Sequence, residues 1–174
     1  SDRPKFYTDW AYNIQVSRDL KVVGRELWED QLKNSTNKFI REVAKTKIQE
    51  LDLRLAVDHL NELADQLRQR TGRSVRSPED LVKAGLIEAL PTDPFGGHYL
   101  VDSKGVIQNT TLLDDLKERY LMHLRTSIKV FKQEEGRWPR SLDELREYRN
   151  LQELFPHPYE GQQWQYDPAT GEIH

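Results

Sequence analysis

The second half of this chain repeats the order of special residues in its first half, at an offset of about 64 positions. A long stretch of helical periodicity ends at Gly72, and a second one ends at Gly136. A serine-capped short helix is predicted after each glycine, at residues 77–81 and again at residues 141–145. So many matched positions in one order predict two copies of one structural unit.

The repeat continues through a turn and a small β-hairpin. The matched pieces are residues 94–97 and 158–161, residues 99–102 and 164–167, and residues 105–107 and 171–173. A two-stranded hairpin is marginally stable alone, so each is expected to pack on the long helix before it. The repeat predicts a first unit at 52–111 and a second at 112–174.

Residues 1–51 are predicted to be helical, with a turn and helix cap at residues 34–37. Apolar residues recur here at three- and four-residue spacings, which predicts stripes that antiparallel packing of the helices would bury. They include Leu20, Val23, Leu27, Phe39 and Ile40. The predicted fold class is therefore α+β, mainly α: an N-terminal helical region followed by two repeated helix, short helix and β-hairpin units.

Composition excludes several classes of function. The chain has no cysteine, so disulfides and thiolate chemistry are absent. Its net charge is −3, and no segment carries the basic excess that nucleic-acid binding requires. There is no apolar run long enough to span a bilayer, so we expect no membrane insertion by this segment. Because the chain begins at Ser1 with an amphipathic pattern soon under way, we expect it to be a fragment.

No motif of a known catalytic chemistry is present. The five histidines are scattered and lack the spacing of a helical zinc site. No nucleophile elbow, phosphate loop or dinucleotide fingerprint occurs. Arg73 and Arg137 each follow a helix-ending glycine. A guanidinium at this position can donate hydrogen bonds to helix-end carbonyls or to a hairpin carboxylate, so we expect a structural role for both. We expect the chain not to be an enzyme.

The repeated unit resembles the headpiece of type II secretion and type IV pilus pseudopilins. The closest part is residues 90–107, with the order Leu-Pro-x-Asp-Pro-Phe-Gly-Gly-x-Tyr before a glycine-turned hairpin. The second copy is a degenerate version, with His157 in place of Asp93 and Glu160 in place of Gly96. The preceding amphipathic helices resemble the end of a tetratricopeptide array, as in bacterial envelope proteins that join such repeats to pseudopilin-like tails.

This resemblance implies a non-catalytic protein-interaction or scaffold module of the bacterial cell envelope or periplasm, linked to secretion or pilus machinery and binding a protein partner. The candidate docking residues are aromatic side chains beside the predicted hairpins, because aromatic residues dominate interface energetics. They are Phe95, Tyr159 and Trp164, with Trp10 in the helical region. The competing interpretation of each is core packing.

The alternative function is a calcium-binding structural module. Major pseudopilin headpieces bind calcium through loop oxygens near the hairpin, and the matching candidates here are Asp93 and Asp102. Calcium requires six to eight oxygen ligands, of which the sequence supplies these two carboxylates. The competing interpretation is that Asp93 holds its own turn and Asp102 starts the hairpin turn. No other cofactor is expected.

Overall fold

The computed structural model describes residues 9–148 and 156–174, with side chains described from residue 19 onward within those ranges. The fold is α+β and mainly α, which confirms the predicted class. The helices are α1 (Asp9–Asn34), α2 (Lys38–Thr71), α3 (Glu79–Lys83), α4 (Thr110–Glu135) and α5 (Leu142–Tyr148). The strands are β1 (Tyr99–Val101), β2 (Ile107–Asn109), β3 (Tyr166–Asp167) and β4 (Glu172–Ile173).

The chain divides after Ile107 into two compact units, residues 1–107 and residues 108–174. We call these the first unit and the second unit. The predicted boundary between residues 51 and 52 lies inside α2, and the one between residues 111 and 112 lies in the first turn of α4. β1 pairs with β2, and β3 pairs with β4, as two separate two-stranded sheets.

In the first unit α1 packs on α2, with a close approach at Gly24 and two ion pairs between the helices. A Cβ added to Gly24 would lie 3.6 Å from Leu51 Cδ1, so the helices approach closely there. Lys21 Nζ lies 2.6 Å from Asp58 Oδ2, and Arg25 Nε lies 2.5 Å from Asp52 Oδ1. Both ion pairs lie on the face of α1 that meets α2.

A compact core joins α2, α3 and β2 in the first unit. Its buried members are Leu60, Leu63, Ala64, Val75, Leu81 and Ile107. The Asn61 side chain ties the strand to the helix, since its Oδ1 accepts from Ile107 N–H and its Nδ2 donates to Ile107 O, both at 2.8 Å. The predicted packing of a marginal strand pair against the long helix is seen in these contacts.

The second unit has its own core between α4, α5 and β4. Its buried members are Leu121, Leu124, Ile128, Phe131, Leu145 and Ile173. Arg125, 64 positions after Asn61, donates from Nη2 to Ile173 O at 3.3 Å. Tyr166 pairs with Ile173 in the antiparallel register of β3 and β4. Helices α2 and α4 each end at a glycine in the left-handed conformation, Gly72 and Gly136, each with φ of 70°. That the two segments are copies of one unit stays a prediction.

Candidate functional site

The three aromatic residues predicted to dock a partner differ in exposure. Phe95 is 41% exposed at the tip of its turn. Tyr159 is half-buried, and its hydroxyl donates to Asp114 Oδ1 at 2.7 Å. Burial, followed by the Asp114 hydrogen bond, raises the pKa of Tyr159 to about 12. Trp164 is half-buried against the second core, with its ring centroid 4.5 Å from that of His157.

These positions give Phe95 an accessible ring, while Tyr159 and Trp164 have internal partners. Phe95 belongs to the first unit, and Tyr159 and Trp164 belong to the second. The side chain of Trp10, the fourth candidate, lies outside the described residues. The docking role of these aromatic residues stays a prediction.

Five apolar residues of α1 and of the first turn of α2 were expected to be buried, and for these residues the expectation is wrong. Leu20 is 62% exposed, Val23 is 51% and Leu27 is 65%. Phe39 is 75% exposed at the start of α2, and Ile40 is 36% exposed. The reason is that a different face of α1 meets α2, the face that carries Lys21, Gly24 and Arg25.

Leu20, Val23 and Leu27 form what we call the α1 apolar stripe. Their spacing of three and four residues places them on one face of the helix. The helical periodicity was visible in the sequence, but it gave no sign of which face would meet α2. Lys21 and Arg25 identify the face of α1 that meets α2 only after their partners on α2 are known.

The two predicted calcium ligands both hold backbone amides of their own turns. Asp93 is 8% exposed, and its Oδ1 accepts from Phe95 N–H at 2.7 Å. Asp102 Oδ1 accepts from the N–H groups of Lys104 and Val106, both at 2.9 Å. Across the described side chains, no three His, Cys, Asp or Glu residues are grouped closely enough to hold a metal ion. The turn role is therefore observed, and the calcium site stays a prediction.

The second unit builds its turns with the same hydrogen bonds. His157 Nδ1 accepts from Tyr159 N–H at 3.1 Å, as Asp93 does from Phe95. Asp167 Oδ1 accepts from Ala169 N–H at 2.9 Å, close to the pattern at Asp102. An imidazole nitrogen at His157 thus accepts the same kind of turn hydrogen bond as the carboxylate oxygen of Asp93.

Arg137 forms a bidentate ion pair with Glu144 in the second unit. Its Nη2 lies 2.7 Å from Glu144 Oε1 and its Nη1 lies 3.1 Å from Glu144 Oε2. Glu144 Oε2 also accepts from Arg140 N–H at 2.5 Å. The Arg137 guanidinium, with a further contribution from Arg140 N–H, lowers the pKa of Glu144 to about 2. Arg137 thus has a structural role, but its carboxylate partner lies on α5 and not on the hairpin that was predicted. Its Nη1 also donates to the carbonyl of Trp138.

This low pKa predicts acid sensitivity of the second unit. Because the folded pKa of about 2 lies below the ordinary 4.5, ionised Glu144 stabilises the fold above about pH 4.5. That contribution is lost as the pH falls from about 4.5 towards 2. We expect Glu144→Gln to lower the melting temperature at pH 7 and to flatten its decline between these pH values. The control is Glu147→Gln on the same helix, and an unchanged wild-type profile in Glu144→Gln would contradict the assignment.

Comparison with protein families, with curated proteins and with solved structures finds no match to this chain. Of the helices that the structure describes, none has both the length and the apolar character needed to cross a bilayer. The candidate functional site is therefore described only from its exposed apolar and charged side chains.

Proposed function

We propose that this chain is a non-catalytic protein-interaction or scaffold module of the bacterial cell envelope, linked to secretion or pilus machinery. The observation that carries the interaction role is the concentration of exposed apolar residues between positions 20 and 40. Large exposed apolar side chains in one region are typical of protein-interaction surfaces. The envelope location rests on the resemblance of residues 90–107 to pseudopilin headpieces.

Burial of the α1 apolar stripe would supply the free energy of binding in this proposal. Burying one leucine side chain completely stabilises a complex by roughly 1.5–3 kcal/mol before the costs of association. Leu20 and Leu27 are each more than 60% exposed, so most of that stabilisation is still to be gained on binding. A partner that covers both leucines and Val23 would bury a continuous apolar face.

Charges beside the stripe define the chemistry of the partner. Asp19, Glu26 and Asp30 are exposed, and with Val23 they have the spacing i, i+4, i+7 and i+11 along one side of α1. A helix with an apolar face bordered by lysine or arginine would complement this surface in shape and charge. Added salt should therefore slow association with such a partner.

The test is binding by a variant that keeps the fold and removes the stripe. Leu20→Ser combined with Leu27→Ser changes two exposed side chains, so the melting temperature should change little. Met122→Ser is the control, because Met122 is 58% exposed on a different helix. Proteins retained from an envelope fraction are identified, purified singly and titrated against all three chains.

We expect at least one secretion or pilus component to bind the wild type and Met122→Ser equally. The double variant should bind it at least tenfold more weakly, which corresponds to about 1.4 kcal/mol. Equal binding by the double variant would remove the stripe from the interface. Failure of every purified component to bind would overturn the proposed function.

A further inference from the structure

An open groove of about 940 Å³ lies in the first unit, between the end of α2 and the turn that joins β1 to β2. This volume is in the range of ligand-binding clefts. Leu67 contributes apolar surface, and Arg73 and Arg76 contribute cationic side chains. Ser74 and Gly105 lie along the same groove.

The second unit carries a large aromatic side chain at the position of Ser74. Trp138 follows Ser74 by 64 positions, and each residue packs on the glycine of its own hairpin turn. A Cβ added to Gly105 would lie 2.9 Å from Ser74 Cβ, and one added to Gly171 would lie 2.5 Å from Trp138 Cε3. The second unit therefore covers its glycine turn with its own indole ring, whereas the first unit has only a hydroxymethyl group there.

The two units also differ in how the arginine that follows the helix-ending glycine is paired. Glu144 binds the guanidinium of Arg137 through both carboxylate oxygens. Its counterpart Asp80 is one methylene shorter and is occupied otherwise: Oδ2 accepts from the N–H groups of Arg76 and Ser77, at 2.9 and 3.1 Å, and Oδ1 lies 3.5 Å from Lys83 Nζ. Asp80 consequently leaves Arg73 without the pair that Arg137 has.

Two guanidinium groups are thus available at the groove. Within the described residues, neither the Arg73 nor the Arg76 guanidinium makes a hydrogen bond or an ion pair. Asp102, the other carboxylate on the groove, directs Oδ1 to the N–H groups of Lys104 and Val106 at 2.9 Å. Arginine side chains in such a setting favour carboxylates, which they bind with two parallel hydrogen bonds.

We propose that this groove binds a peptide that supplies an aromatic side chain and a neighbouring carboxylate. The two groups would take the places that Trp138 and Glu144 fill in the second unit. The aromatic ring would pack over Gly105, and the carboxylate would bind Arg73 and Arg76. This site is separate from the α1 apolar stripe, so it goes beyond the proposed function and does not depend on it.

The experiment titrates the full chain into a fluorescein-labelled peptide, acetyl-Gly-Glu-Trp-Glu-Gly, and measures anisotropy. Two control peptides replace the tryptophan by alanine or both glutamates by lysine. Ser74→Trp fills the groove as Trp138 does, and Arg73→Gln combined with Arg76→Gln removes the cations without changing the groove floor. Arg137→Gln and the Leu20→Ser, Leu27→Ser chain are the matched controls. Inorganic phosphate is added as a competitor.

We expect saturable binding of the acidic aromatic peptide, with at least tenfold weaker binding of both control peptides. Ser74→Trp and the double glutamine variant should each weaken binding at least tenfold, and the two control chains should bind as the wild type does. Absence of binding would overturn the proposal, as would unchanged binding by the double glutamine variant, which tests the site even where Ser74→Trp lowers the melting temperature. Complete displacement by millimolar phosphate, with no preference for the aromatic peptide, would assign the groove to small anions instead.

Discussion

Gly171→Ala is expected to lower the free energy of unfolding of the second unit by about 3 kcal/mol. Gly171 has a φ of 75°, a conformation that costs an L-residue roughly 1–2 kcal/mol. The added Cβ would also lie 2.5 Å from the ring of Trp138, so the indole or the turn must move. Forcing extra atoms into a packed site costs a further 1–3 kcal/mol or so. Urea denaturation followed by near-ultraviolet circular dichroism measures the loss.

Gly161→Ala separates the two causes of this effect. Gly161 has a φ of 76°, and no described atom lies within 4 Å of the position of an added Cβ. Its substitution should therefore cost only the backbone term, about 1 kcal/mol. Equal losses in Gly161→Ala and Gly171→Ala would show that the packing of Trp138 on the β3–β4 turn contributes nothing.

Phe131→Ala should destabilise the second unit by about 3–5 kcal/mol. Phe131 is 2% exposed and sits in the core formed by α4, α5 and β4. Its ring centroid lies 4.7 Å from that of Tyr148, in an edge-to-face arrangement that adds to the area it buries. Removal of the ring loses this contact and leaves a cavity. Hydrogen exchange at the backbone amides of β4 and α5 should accelerate accordingly.

Met122→Ala on the same helix is the control for Phe131→Ala. Met122 is 58% exposed, so its truncation should change the free energy of unfolding by less than about 0.5 kcal/mol. Comparable losses of unfolding free energy in the two variants would mean that the face of α4 that carries Phe131 does not stabilise the second unit.

Local sequence signals correctly predicted where helices end and where α2 is capped. Gly72 and Gly136 end α2 and α4 in the left-handed conformation, with their N–H groups bonded to Arg68 and Lys132 carbonyls at 2.8 and 2.9 Å. Asn37, from the predicted cap cluster, accepts from Phe39 N–H at the start of α2. Such features depend on residues a few positions apart, so the sequence contains all the information they require.

The candidate surfaces could not be predicted in the same way. Leu20 and Leu27 have the periodicity of buried residues, yet a different face of α1 meets α2. That face is identified by the approach of Gly24 to Leu51 and by the pairs Arg25–Asp52 and Lys21–Asp58, whose members are 27 and 37 positions apart. The docking candidates Tyr159 and Trp164 likewise have partners that the sequence did not identify. Hydrophobic pattern shows that a helix has an apolar face, but not what covers that face.

The sequence by itself determined the order of helices and strands, the helix ends, the turn residues and the mainly helical class, because each follows from the conformational preferences of neighbouring residues. Only the tertiary structure decided which apolar stripe stays exposed and that Arg137 meets Glu144, whereas Arg73 has no carboxylate partner among the described residues. It also decided that the Trp138 ring packs on the Gly171 turn, whereas the smaller Ser74 packs on the Gly105 turn. Those outcomes depend on side-chain length and on contacts between residues distant in the chain. The two units therefore differ by one methylene between Asp80 and Glu144, and by an indole at position 138 where the first unit has a serine.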